Sequence, residues 1–325
     1  MRRRTAYGRR RAAACALALI GAAPLAPLAA LAAQPARRTD LSPAERAIAQ
    51  GRLDEAESAF YAASARAPRE PAARGALGAF LASRGRFKAG AVLLEEAREF
   101  GGDARAIDER LKHVFAWTGE WQRWATLPSA ATFPEPERAR AQWLAAHPRT
   151  RSGPDSSVVP LEPNEVFGFG RIALRVGETT LRADVDPNVE GLVLPAVLDL
   201  TGILELFGSR GDTTFAAAAA VSIGAQSLAN VPVRLEPDAR PRVGLDLLAS
   251  LTPTFDLAAR RLTLRGAVPN PPAGDQVPFL LGFPGVRIVP RRGEPPVALE
   301  SPAGRSALRG ARWTFDARRG AIVVP

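Results

Sequence analysis

The hydrophobic period of this 325-residue chain changes once, and the change divides it into two kinds of structure. From about residue 42 to residue 147, apolar residues recur at the three- and four-residue spacing of amphipathic helices. From about residue 165, they alternate with polar or small residues, as in strands. Proline, serine and charge dominate segment 148–164, which predicts a linker. We therefore expect a helical part followed by a β-rich part.

The helical part contains a repeat. Gly51, Gly85 and Gly119 are spaced by 34 residues, and a large apolar residue follows each of them two positions later. This period resembles that of tetratricopeptide repeats, with two well-kept units and a third that has lost most of the pattern. Glycine at the turn between paired helices accepts a positive φ. Two interpretations stay open: a groove that binds a peptide or partner protein, or a small helical cap docked on the β-rich part.

The N-terminus predicts an export signal over residues 1–32. Six arginines and no acid occur there, an Ala/Leu-rich stretch follows Arg11, and Ala30-Leu31-Ala32 offers a cleavage site. The pattern favours a Sec-type signal over the twin-arginine type. Pro24 and Pro27 interrupt the apolar stretch, so we expect no stable membrane insertion after cleavage. The expected location is the periplasm or the exterior.

Composition limits the chemistry that the mature chain can perform. Cys15, the only cysteine, lies inside the signal, and His113 and His147 are the only histidines. Thiolate zinc sites and Ser-His-Asp triads are therefore poorly supplied, and we expect no metal and no cofactor. Without the six arginines of the signal, the formal net charge falls from +10 to +4. The remaining basic residues are scattered among acids, so we expect no nucleic-acid partner.

The β-rich part resembles a lobe of the retropepsin-like aspartic peptidases over about residues 158–265. A predicted hairpin runs into Asp186, within ADVDPNVEGLVLP. The stretches FGSRGDTTFA and VSIGAQSLANVPV resemble the middle hairpins of that family, and VGLDLLASLTPTFDLAARRLTLR resembles its closing stretch. The expected fold class is multidomain: an all-α, tetratricopeptide-like array over 42–147, then an all-β, acid-protease-like barrel lobe over 165–265.

The resemblance assigns Asp186 as the catalytic aspartate, with Pro187 and Asn188 in place of the Thr-Gly of the family motif. Val243 and Gly244 form the second stretch of the motif region. Proline has no N–H and no hydroxyl, and asparagine adopts a positive φ at some cost, so the donors that would hold the carboxylates are lost. Asp246 and Asp256 fall where the resemblance places structural turns. The sequence therefore predicts weak or absent peptidase activity.

Residues 276–325 form a predicted C-terminal β extension. Within it, Trp313-Thr314-Phe315-Asp316 echoes Thr254-Phe255-Asp256. Two interpretations stay open: the remnant of a second lobe, or a plain hairpin extension. In the first interpretation, Glu300 would face Asp186 as a pseudo-dyad.

Three functions follow from these expectations. The first is a degenerate, exported retropepsin-like protein that binds peptide or protein segments under the hairpin near Phe215. The second is an active aspartic endopeptidase that works as a homodimer, since one lobe supplies one aspartate. The third is an interaction scaffold that uses the helical repeats.

Overall fold

The computed structural model describes residues 40–164, 169–196, 201–266, 274–282, 285–308, 312–317 and 319–324. Residues 39–325 form one compact unit, so the helical and β-rich parts pack together. The predicted signal, its cleavage site and Cys15 lie outside the described residues. Among the helices that are described, none is both long enough and apolar enough to cross a membrane.

The predicted helical part is confirmed as helical. Seven α-helices occupy it, and the residues that face inward in each are mostly alanine, leucine and aromatic residues. Their bounds are α1 Ser42–Ala49, α2 Leu53–Arg66, α3 Pro71–Ser83, α4 Phe87–Glu99, α5 Ala104–Thr118, α6 Trp121–Ala125 and α7 Glu135–Ala146.

The three regularly spaced glycines lie where the sequence places them, at turns between helices. Their φ angles are +64° at Gly51, +75° at Gly85 and +74° at Gly119. The third unit departs from the repeat because α6 has only five residues and a short 3₁₀ turn separates it from α7. A tetratricopeptide array is therefore not confirmed, although the helix–turn–helix pairs are.

The first sheet closes on itself. Its strands follow the order β1-β8-β5-β9-β4-β3-β7-β6, and an additional pairing of β8 with β7 completes a barrel. The predicted alternation is confirmed in β3 and in the first half of β4, but the last four residues of β4 are all buried, including Asp184 and Asp186. The bounds are β1 Arg151–Ser152, β3 Arg171–Val176, β4 Thr179–Asp186, β5 Leu192–Pro195, β6 Ile203–Arg210, β7 Thr213–Ile223, β8 Gln226–Glu236 and β9 Arg242–Gly244.

The second sheet combines strands from distant parts of the chain. Its order is β14-β13-β12-β16-β15-β10-β11-β2, and two short helices, α8 Leu245–Ala249 and α9 Pro302–Leu308, precede its hairpins. The bounds are β2 Ser156–Pro160, β10 Thr254–Asp256, β11 Arg261–Arg265, β12 Asp275–Leu281, β13 Val286–Ile288, β14 Val297–Ala298, β15 Arg312–Asp316 and β16 Ala321–Val324.

The predicted linker is not a free connection. Strand β2 pairs along its whole length with β11, and β1 pairs with β8, so segment 148–164 contributes to both sheets. Val158 and Val159 both favour a β-strand. The prolines and serines around them dominate the composition of the segment, which is why composition alone indicates a linker. Val159 is buried against the β-rich core.

The two segments that echo each other in sequence lie side by side. Strands β10 and β15 pair antiparallel, with Phe255 opposite Trp313 and Thr254 opposite Thr314. The Phe255 and Trp313 rings stack with centroids 4.2 Å apart, and the two threonine Oγ1 atoms are 2.8 Å apart. Each strand follows a short helix and continues into a hairpin, so the repeated sequence produces a repeated local structure.

The turns of the helical part dock on the second sheet. A Cβ on Gly51 would lie 1.9 Å from the Glu294 carbonyl oxygen, and one on Gly85 would lie 2.1 Å from that of Ala317. One hydrophobic cluster combines residues of α1–α3 with Leu280 and Val289. These contacts favour the interpretation of the helices as a cap on the β-rich part.

Candidate functional site

The strands β4 and β9 bring the predicted site residues together. They pair in parallel, with Val185 opposite Val243 and Asp186 opposite Gly244. Pro187 and Asn188 follow immediately in the loop that leads to β5. Two stretches separated by more than fifty positions in sequence therefore meet at one end of the barrel, as the resemblance implies.

Gly244 allows the loop after Asp186 to approach closely. A Cβ at this position would lie 2.4 Å from the Val189 carbonyl oxygen and 2.3 Å from Asp246 Oδ1. Both Asp246 oxygens accept a hydrogen bond from the Gly191 N–H, at 2.9 and 3.0 Å. Asp246 thus holds the far end of the loop from the first turn of helix α8, where the resemblance places a turn.

Burial sets the protonation of Asp246. The side chain is 5% exposed, and burial, followed by the nearby Glu190 carboxylate, raises the pKa of Asp246 from 3.8 to about 6. The N–H of Gly191 and the charge of Arg149 act in the opposite direction without cancelling the effect.

Asp256 also has a local role. Its Oδ1 accepts the Ala259 N–H at 2.8 Å, and its Oδ2 lies 3.2 Å from Arg261 Nη2. This backbone hydrogen bond, more than the arginine, lowers the pKa of Asp256 below its ordinary value.

Both oxygens of Asp186 already have donors from the protein. The residue is 1% exposed. Its Oδ1 accepts the Asn188 N–H at 2.9 Å, and its Oδ2 lies 3.4 Å from Arg242 Nη1. Arg242 also pairs with Glu236 at 2.8 Å, which fixes the guanidinium beside the aspartate. An aspartic peptidase instead needs a second carboxylate and a water against these oxygens.

The loop that approaches Asn188 from the second sheet brings no carboxylate. It connects β12 to β13 with the sequence Gly282-Phe-Pro-Gly285. A Cβ on Gly285 would lie 3.2 Å from Asn188 Oδ1, so the two loops are in close contact. Three acids share a cavity with Asn188, namely Glu45, Asp103 and Glu300. Of these, Glu300 has an Oε2 that is buried without a hydrogen-bond partner in the described part of the chain.

A cavity of about 1160 Å³ lies at this contact. Helices α1, α3 and α5 form one wall, and the Asn188 loop with strands β12–β14 forms the other. Asn188 and Glu300 line the cavity; Asp186 is not among the residues that do. Its apolar walls include Ile48, Phe60, Phe80, Leu280, Leu281 and Val286.

The hairpin near Phe215 does not offer the open groove that the sequence suggested. Phe215 is 7% exposed, and helix α7 covers it with the Arg140 guanidinium 4.8 Å from the ring centroid. At the hairpin end, Arg210 pairs with Glu137 of α7 at 2.9 Å. The covering helix comes from the part of the chain that precedes the lobe, so the pattern of the lobe alone could not reveal it.

Sequence reasoning also missed the contact between His113 and the loop after Asp186. His113 Nδ1 lies 2.9 Å from Glu190 Oε1, a pairing across 77 positions. His147 lies at the C-terminal end of α7, with its Nδ1 2.9 Å from the Trp143 carbonyl oxygen.

The comparisons with known proteins add a weak likeness. No family model matches the chain, and no curated protein matches it. Among solved structures, it is similar to a retropepsin-like aspartic protease from Rickettsia conorii, at 16% sequence identity and a TM-score of 0.27. The likeness covers 36% of this chain and 97% of that chain. The helical part matches no repeat family model.

Proposed function

We propose that this protein is a catalytically inactive, retropepsin-like protein that binds extended peptide or protein segments in the 1160 Å³ cavity. The observation that carries the proposal is the state of Asp186. Its oxygens are occupied by the Asn188 N–H and by Arg242, and the loop that approaches Asn188 from the second sheet contains no acid.

The missing dyad explains why hydrolysis is not expected. Two carboxylates that share a proton activate the attacking water in aspartic peptidases. Arg242 brings a positive charge to the position where a second carboxylate would act. Glu300 lines the neighbouring cavity with Asn188, and nothing places it within hydrogen-bonding distance of Asp186.

The cavity has properties that suit a peptide. Its volume is above the upper end of the range typical for small-molecule pockets. Its walls combine the apolar side chains named above with charged groups that include Glu45, Arg110 and Arg287. Apolar side chains of a peptide would gain by burial there, and its polar groups would find donors and acceptors nearby.

The location also belongs to the proposal. We infer that residues 1–32 direct export and are then removed, which leaves the described part of the chain in the periplasm or outside the cell. The arginine-rich start, the Ala/Leu-rich stretch and the Ala30-Leu31-Ala32 site support this inference.

One paired experiment tests binding and inactivity together. Fluorescein-labelled, unfolded casein fragments would be incubated with the mature protein between pH 3.5 and 7.5, with anisotropy read first and cleavage second. We expect saturable binding and no cleavage, whether the protein is the wild type or Asp186→Ala. Because Ala72 is exposed and lines the cavity, Ala72→Trp should weaken binding about tenfold.

Ala62→Trp is the matched control, since Ala62 is exposed on α2 and is not one of the cavity-lining residues. Equal binding by both tryptophan variants would contradict the proposed binding site. Cleavage by the wild type that disappears in Asp186→Ala would instead establish the alternative of an active, dimeric endopeptidase, and gel filtration of the active fraction would then show a dimer.

A further inference from the structure

A second cavity, of about 400 Å³, lies between the helical part and the barrel. Helices α5, α6 and α7 form one side, and strands β7 and β8 with the loop after Asp186 form the other. Basic residues are prominent among those that line it: Lys112, His113, Arg140, Arg210 and Arg234, together with Glu137, Glu190, Trp121 and Trp124.

Two of these arginines form no ion pair with a described carboxylate, although Glu137 and Glu190 line the same cavity. Arg140 lies over the Phe215 ring, and Arg234 is the register partner of Phe215 on the next strand. The Nε atom of each is buried and has no hydrogen-bond partner among the described residues, and no ion pair joins either guanidinium to a described carboxylate. An uncompensated charge in such a place is unfavourable unless something pairs with it.

The indole N–H of Trp121 is a further donor in this cavity that lacks an acceptor among the described residues. Trp121 lines the cavity and is 4% exposed, and its indole Nε1 is buried with no acceptor in the described part of the structure. Indole nitrogen only donates, as guanidinium does. Three side chains around one cavity therefore have donors without acceptors.

The other charges of the cavity already have partners. Glu137 pairs with Lys112 at 3.2 Å and with Arg210 at 2.9 Å. Glu190 pairs with His113. Burial alone would raise the pKa of Glu190, but the hydrogen bond from His113 and the nearby cations hold it below its ordinary value, so this carboxylate is ionised at neutral pH.

The arginines remain charged as well. Burial, and next the proximity of Arg234, lower the pKa of Arg140 to about 10, which still leaves it protonated at neutral pH. The positive excess of the cavity is therefore carried by Arg140 and Arg234, after every acid that lines it has been counted.

We propose that this cavity binds a small ligand through an oxyanion group, a carboxylate or a phosphate, held between Arg140 and Arg234. Guanidinium presents parallel N–H donors that match the oxygens of such groups. The volume suits a small molecule or the acidic end of a longer one, and Trp121 and Trp124 offer apolar contact beside the charge. This site differs from the cavity of the proposed function and does not depend on it.

Calorimetric titration of the mature protein tests the proposal, with inorganic phosphate, succinate and the blocked peptide acetyl-Glu-Glu-Glu-amide as separate probes at constant ionic strength. We expect saturable binding of at least one probe. Arg140→Gln and Arg234→Gln should each raise its Kd by about tenfold or more. Preference for phosphate, for succinate or for the peptide would identify the source of the oxyanion.

Arg261→Gln is the control, because Arg261 is exposed and paired with Asp256 on the second sheet. The Kd of each probe for Arg261→Gln should equal its Kd for the wild type. Non-saturable heats with all three probes, or the same loss in Arg261→Gln, would overturn the proposal. A second readout is the Tm measured without added anion. Because Arg140 forms no ion pair with a described carboxylate, Arg140→Gln should not lower the Tm. If Arg140→Gln lowers the Tm more than Arg261→Gln does, Arg140 has a structural role and the proposal is overturned.

Discussion

Two buried aspartates flank the pairing of β4 with β9, and their neighbours give them different chemistry. Asp186 has a guanidinium on one oxygen and a backbone N–H on the other. Asp246 has only N–H donors within hydrogen-bonding distance and lies in the field of Glu190. The sequence motif identifies Asp186, but the residue whose pKa is raised is the one that the resemblance assigns to a turn.

The raised pKa of Asp246 predicts a pH effect on stability. With a pKa of about 6 in the native state and 3.8 as the ordinary value, the native protein keeps this proton where the unfolded chain has lost it. Its contribution to stability therefore falls as pH rises from about 4 to about 6. Asp246→Asn removes the group that titrates, so the variant lacks this pH dependence. Between pH 4 and pH 6, the free energy of unfolding of the wild type should therefore fall relative to that of the variant by up to roughly 3 kcal/mol.

Urea unfolding at pH 4, 5, 6 and 7 measures this difference. Asp256→Asn is the control. Because the Ala259 N–H lowers the pKa of Asp256 below 3.8, the effect of this group on stability changes mainly below pH 4, so the wild type and this variant should differ by a nearly constant amount between pH 4 and pH 7. If the free energy of unfolding of the wild type instead rose relative to that of Asp246→Asn as pH increased, the raised pKa of Asp246 would be contradicted.

At the scale of elements, the sequence predicts most helices and strands because their apolar residues face one core. The alternation in β3 and in the first half of β4 and the turns at Gly51, Gly85 and Gly119 follow from local preferences and are confirmed. Strand β2 was missed because it is short and has only two apolar residues, and its partner β11 lies a hundred residues away. Pairing over such a distance leaves no local signal.

The helix turns make the strongest test at this scale. Gly85 has φ +75° and abuts the Ala317 carbonyl, whereas Gly101 has φ +90° and a Cβ added there would meet nothing within 4 Å. Gly101→Ala should therefore cost only the backbone strain, about 1 kcal/mol. Gly85→Ala should cost about 2 kcal/mol more, since the helical cap must also move away from the second sheet. Equal losses in chemical denaturation would show that this docking contact contributes nothing.

At the scale of the molecule, the helical part and the two sheets share hydrophobic cores. Phe87 and Trp117 of the helices pack on the core of the two sheets, and Leu280 and Val289 of the second sheet pack among the helices. Each of these contacts joins residues that are far apart in sequence. The same is true of Arg140 and Arg234, which line one cavity. Periodicity locates the faces of elements, but it does not reveal which faces meet.

This arrangement predicts one cooperative unfolding transition for the described unit. Far-UV circular dichroism follows mainly the helices, and hydrogen exchange of the backbone amides of β15 and β16, read at increasing urea concentrations, follows the second sheet. Because the hydrophobic clusters are shared, the two signals should change at the same urea concentration. Two separated midpoints would mean that the helices unfold independently of the sheets.

The position of β16 has a consequence for the edges of the second sheet. This strand, at residues 321–324, lies inside the sheet between β12 and β15. Until β16 is in place, β12 and β15 lack the strand that joins them, so the sheet cannot be completed from its other strands alone. An unpaired edge on β12 or β15 would be open to pairing with another chain, so this strand also protects the protein against aggregation.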